Sequence, residues 1–152
     1  MTDNKIFKPT SKKLTIVDDG AYITLYCYPS DAHRENRLFI QEDDFLFLAL
    51  AFGMIIDREG FDIYECYSVN KRAWLILLHR AQKLTEFDSF EKMYDYVKQG
   101  KTKMAMDYSY LLENYPEEVW KEREEIQLML KDIIRWTEFV MKDGDKIEIL
   151  GI

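Results

Sequence analysis

Twelve apolar residues stand in an unbroken row at positions 45–56, directly after three carboxylates, Glu42, Asp43 and Asp44. That row restricts the fold more than any other part of the chain. It outruns an ordinary strand, so its length favours a helix. Acidic residues just ahead of it fit a helix start, where the dipole is positive. A helix that is apolar on every side must be covered on every side. The row therefore predicts a central helix with the other elements wrapped round it, ended by Asp57, Arg58, Glu59 and Gly60. It is too short to cross a bilayer, which takes about 20 residues.

The flanking sequence supplies the wrapping. Residues 12–29 predict a β-hairpin, with Leu14, Ile16, Tyr22, Thr24, Tyr26 and Tyr28 in alternating β-rich segments and Asp18, Asp19 and Gly20 as the turn. Pro29 ends the second strand, because proline has no amide hydrogen for the ladder. Short strands are predicted at 38–40 and, from alternation, at 61–67. After Asn70, a helix N-cap, positions 71–84 carry Trp74, Leu75, Leu77, Leu78, Ala81 and Leu84 at helical spacing. Residues 75–78 alone also fit a strand. Asp88 or Ser89 caps a helix ending near Gly100, and a short helix covers 106–115. Pro116 opens the longest helix, 117–142, since proline is tolerated at a helix start and glutamates follow it. Asp143, Gly144 and Asp145 stop that helix ahead of a strand at 146–150.

Strands first, then mostly helices, then a closing strand give an α+β fold. We expect a small antiparallel sheet, the N-terminal hairpin plus later strands, packed by the central apolar helix and the long C-terminal helix. A length of 152 residues suits one domain, 1–152. Regular β-α-β alternation is absent, which disfavours a doubly wound nucleotide fold.

The net charge of −7 bears on partners rather than on the fold. Nucleic-acid binding needs a clustered basic face. The two lysine groups, Lys5, Lys8, Lys12 and Lys13, and Lys98, Lys101 and Lys103, are not interleaved with aromatics in an RNA-binding pattern. Residues 1–5 lack the apolar centre of a signal peptide, and Cys27 and Cys66 are too few for a disulfide framework. Both cysteines fall in expected strands, where a cysteine is ordinarily a small buried apolar residue. A cytoplasmic location and no membrane association are the expectation.

Catalytic constellations find little support. Two histidines, His33 in an expected loop and His79 on a helix flank, do not make a metal site with two separated cysteines. Ser68 and Lys71 have the serine-x-x-lysine spacing of some acyltransferases and β-lactamases, but the companion motifs are missing. Asp57, Glu59, Asp62 and Glu65 around Gly60 fail the EF-hand register, with the glycine in the fourth place instead of the sixth. Neither a phosphate loop nor a dinucleotide fingerprint is present. No catalytic residue, metal ligand or cofactor is assigned.

Charge placement is the unusual feature. Between Gln41 and Tyr67 there are seven acidic side chains against Arg58, and between Asp107 and Glu125 seven against Lys121 and Arg123. A charge run is ordinarily a solvated face. The functional alternative is an acidic docking surface for a basic protein, drawn from residues 107–125, with Glu113, Glu117, Glu118, Glu122 and Glu125, or from residues 41–65. Tyr108, Tyr110 and Tyr115 lie within the second run, and tyrosine is enriched at interfaces. On the long helix, Val119, Ile126, Leu130, Ile133 and Met141 share the expected core face. Leu128 and Phe139 point nearly opposite, among Lys121, Glu124, Asp132 and Arg135, and call for a second packing partner: within the chain, between copies of it or, behind these, a foreign protein.

Three functions stay open: a non-enzymatic binding or inhibitory module with an acidic surface, an assembly protein forming homo-oligomers through Leu128 and Phe139, and a small carboxylate-based hydrolase or transferase. In size and composition the chain resembles the small acidic intracellular binding proteins of bacteria and phages, such as immunity proteins, antitoxins and inhibitors. That resemblance implies an inhibitory or regulatory partner interaction and carries no residues over.

Overall fold

The structure is a computed structural model that describes residues 6–15, 20–101 and 103–152. Its sheet has four antiparallel strands, β1 (Tyr22–Tyr28), β2 (Leu38–Gln41), β3 (Cys66–Asn70) and β4 (Lys146–Leu150), in the order β2-β1-β4-β3. Six α-helices are described: α1 (Leu46–Ile55), α2 (Lys71–Thr85), α3 (Phe90–Gln99), α4 (Met106–Asn114), α5 (Pro116–Lys121) and α6 (Arg123–Val140). The α+β class, the small antiparallel sheet and the central apolar helix are as the sequence indicates.

Alternation along the strands gives the sheet one apolar face. Ile23, Leu25 and Cys27 of β1 are buried, and so are Leu38 and Ile40 of β2, Ile147 and Ile149 of β4 and Val69 of β3. The register lines them up in rows, Ile23 with Ile40, Leu25 with Leu38 and Ile149, and Ile147 with both Cys27 and Val69. Helix α2 packs against β3 and β4 and also against α1 and α6, which makes it the hinge between sheet and helices. Its Trp74 is fully buried and donates Nε1–H to Thr137 Oγ1 of α6 at 2.9 Å. Asn70 caps α2 by accepting from the Ala73 amide, and Ser89 caps α3 through the Lys92 amide. The stretch 75–78 is helical.

Helix α1 is covered on all sides, with every residue from Leu46 to Gly53 buried. Its acidic lead-in forms a 3-10 turn, Asp43–Phe45, just before the α-helix proper. Phe45, Phe52, Phe61 and Tyr67 stack around its end, with ring centroids 4.6–5.4 Å apart. Gly60 turns the chain there at φ +91°, and a Cβ on it would run into the Lys103 carbonyl oxygen.

Four expectations are corrected. The first arm of the expected hairpin is no strand: Lys12–Leu14 is a 3-10 turn capped by Ser11, and β1 pairs with β2 and β4 instead. Ile16, Asp18 and Asp19 of that hairpin lie outside the described residues. The strand expected at 61–67 starts only at Cys66, because Asp62 closes a turn by accepting from the Tyr64 amide while Phe61 and Ile63 are buried. Cys66 is exposed, whereas Cys27 is buried. The long helix is broken at Glu122 into α5 and α6.

The reason for the second packing partner on α6 is now visible. Residues 6–15 form an arm across the face where Leu128 and Phe139 were expected among polar groups. Asp132, expected to be exposed there, is only 2% exposed. Its carboxylate accepts from the Thr10 amide (2.6 Å), the Thr10 hydroxyl (3.0 Å) and the Ser11 amide (2.7 Å), and Arg135 pairs with it. Phe139 meets Phe7 of the same arm at 5.8 Å between ring centroids. Leu128 stays 57% exposed.

Candidate functional site

The arm, the α1 lead-in and the α5–α6 break meet at one groove of about 410 Å³. Leu46 of α1, Leu111 of α4, Val119 of α5 and Ile126 of α6 supply its apolar lining. Its polar lining comes from Gln41, Asp43, Asp44, Glu118 and Glu122, with Lys13 of the arm and Tyr115 from the α4–α5 junction. Glu118 of α5 and Glu122 at the α5–α6 break line the same opening. Four carboxylates thus face one ammonium.

Lys13 bridges two of them. Its Nζ is 3.0 Å from Asp44 Oδ1 and 2.9 Å from Glu122 Oε2. Burial, which lowers the Lys13 pKa, is outweighed by hydrogen bonds to Glu122 and Asp44, so the ammonium is held more firmly than in water. Asp44 is more deeply buried than Lys13, and burial pushes its carboxyl above the usual range against the pull of that ammonium. Asp43 and Glu122 nearby push the same way. With four carboxyl groups around one ammonium, acidic side chains outnumber basic ones in the groove. Glu42, beside the groove, is also raised, by burial and then by a hydrogen bond with Asp107.

The expected site residues divide. Glu118 and Glu122 line the groove, and Glu125 lines an adjoining cleft with Lys12, Lys121 and the shared Lys13 and Glu122. Glu113 and Glu117 are exposed and line neither. Tyr110 is exposed and lies 5.8 Å from Tyr115, ring to ring. Tyr108 is corrected: it is 1% exposed, and its hydroxyl donates to the Glu42 carbonyl oxygen at 3.1 Å, so it is a core residue joining α4 to the α1 lead-in. Lys13, Asp43 and Asp44 are functional candidates that no local motif announces.

Other chemistry is poorly served. Burial and then Asp145 raise the Cys27 thiol to about 12, so it is a hydrogen-bond donor at neutral pH. Ser68 donates to Glu148 Oε1 at 2.8 Å. His33 and His79 are exposed. Among the described residues, no group of three His, Cys, Asp or Glu side chains is placed to hold a metal ion, and no helix is long and apolar enough to cross a membrane.

The carboxyls predict a curved acid profile. Asp132 and Asp145 are both desolvated, which raises them, but hydrogen bonds outweigh it: from Ser11, Arg135 and Thr10 for Asp132, and from Ser30, Lys142 and Cys27 for Asp145. Both lie below their unfolded value of about 3.9, so their contribution is complete above that value and lost as pH falls through the folded values. Asp44 and Glu42 are raised, so they add stability as pH falls toward about 4. Urea midpoints should rise slightly on mild acidification and then fall steeply below pH about 4. Asp145→Asn should flatten the steep limb, and an equally steep limb in that variant would remove Asp145 from the account.

Comparison with protein-family models, with curated proteins and with solved structures finds no match to this chain.

Proposed function

We propose that this protein is a non-enzymatic binding or inhibitory module, acting in the cytoplasm, whose acidic groove docks a basic segment of a protein partner. One observation carries the reading: two acidic stretches more than 60 residues apart in the chain, at Asp43–Asp44 and Glu118–Glu122, converge on a single groove with an apolar lining. Carboxylates around an apolar floor attract a basic partner electrostatically and hold it by burial. A carboxylate enzyme needs titratable groups poised over a reacting atom, and here two of the four carboxylates, Asp44 and Glu122, are tied to Lys13.

The test reverses charge at groove residues outside the Lys13 bridge. Asp43→Lys with Glu118→Lys should abolish capture of a set of basic proteins from a lysate of the source cell, as counted by mass spectrometry. Capture by the wild type should also weaken steeply between low and high salt. Retention of the same set by the double variant sinks the reading.

A further inference from the structure

The groove already holds a basic side chain, and that side chain comes from the chain itself. Lys13 reaches across it from an arm whose regular structure is a single three-residue 3-10 turn. The turn is held by its Leu14 and Thr15 amides, at 3.2 Å from the Ser11 and Lys12 carbonyls, and by the Ser11 cap. Asp132 anchors it at one end, Leu14 is buried in the core, and the Lys13 ammonium rests on Asp44 and Glu122. The anchor is buried, whereas Glu122 is half exposed. The lysine bridge is the weaker attachment on its Glu122 side, because exposed ion pairs hold little free energy.

We infer that Lys13 is a resident occupant of the groove, and that the partner segment carries a lysine or arginine beside a large apolar side chain which together displace it. The partner's cation takes the place of the ammonium between Asp44 and Glu122. Its apolar neighbour settles on Leu111 and Val119, the two apolar lining residues that are only partly buried. An aliphatic anchor flanked by a cation matches a floor flanked by carboxylates, and this complementarity selects against purely basic and purely apolar segments alike. Docking is thereby coupled to loosening of the arm's turn, which loses its Lys13 attachment while Leu14 stays in the core. The inference rests on the groove being the docking site.

The probe is a dye-labelled synthetic peptide of alternating leucine and arginine, followed by fluorescence anisotropy, with an arginine-serine peptide as control. Wild type should bind the leucine-arginine peptide and prefer it to the control. Lys13→Met should tighten that binding by about fivefold, the competitor being gone. In the wild type, saturating peptide should speed hydrogen exchange at the Leu14 and Thr15 amides, a readout that extra negative charge alone does not move. If neither protein binds the peptide, or if Glu118→Lys binds it as tightly as wild type, the groove reading falls and this inference with it. If the peptide binds in the groove but the two amides keep their protection, or Lys13→Met gains nothing, the groove stands and displacement is overturned. No preference over the control overturns the apolar half of the recognition.

Discussion

Phe47→Ala is expected to remove about 3–5 kcal/mol of unfolding free energy, and Leu50→Ala about 2–5 kcal/mol. Both side chains are 2% exposed and sit on a helix whose neighbours from Leu46 to Gly53 are all buried. An amphipathic helix can shift toward its wet face to close part of a cavity. This one has no wet face, so the void stays and its lining loses dispersion contacts outright. Alanine's better helix propensity returns at most about 0.7 kcal/mol. Urea denaturation of the two variants reads the loss, and near-neutral midpoints at both positions would place the core elsewhere.

Features of the fold that depend on neighbours in sequence were legible in it. The apolar row announces a helix buried all round because no other arrangement hides twelve consecutive apolar side chains. The Asn70 and Ser89 caps are side-chain hydrogen bonds spanning three residues, so they can be read locally. Leu38, Phe39 and Ile40 are a short apolar run, and the strand after Gly144 is apolar alternation beside turn residues. The misreadings share a different origin. Leu14 belongs to an alternating segment, yet its neighbours Thr10 and Ser11 give their amides to Asp132, more than 120 positions away. Phe61 and Ile63 alternate because both are buried, but the Asp62 carboxylate takes the Tyr64 amide and turns the backbone out of the ladder.

The same division separates the acidic residues from the groove they form. Both charge runs are plain in the sequence, and Glu118 and Glu122 can be named from it. Their meeting with Asp43 and Asp44 is a contact between residues more than 70 positions apart, which no local spacing announces. Lys13 is hidden for the same kind of reason: within its own segment it is one lysine among several. Tyr108 looks like its exposed neighbour Tyr110, and only the distant Glu42 carbonyl distinguishes the buried hydroxyl from the exposed one.

Asp132→Ala is the second large effect expected, about 2–4 kcal/mol, because two backbone amides lose their acceptor while Arg135 is half exposed. The carboxylate accepts from two backbone amides and one hydroxyl of the arm, and Ser11 is itself buried. With the acceptor gone, those amides either stay buried without a partner, at about 1–3 kcal/mol each, or lift off with the arm and find water. The second course limits the loss to the arm's docking free energy and leaves a distinct signature. Residues 6–15 should then become sensitive to proteolysis while α6 stays folded, and the Trp136 emission should shift, because its Nε1–H donates to the Asn36 carbonyl and Asn36 in turn holds the Phe7 amide. Asp132→Asn should lie between wild type and alanine, since one oxygen remains to accept while the new amide group opposes the arm's N–H groups. A loss below about 0.5 kcal/mol, the scale of an ordinary surface substitution, with the arm still protected, would mean that Phe7 on Phe139 and the Lys13 bridge hold the segment without the carboxylate. The groove would then be closed from its other end, and Lys13 could not be its weaker attachment.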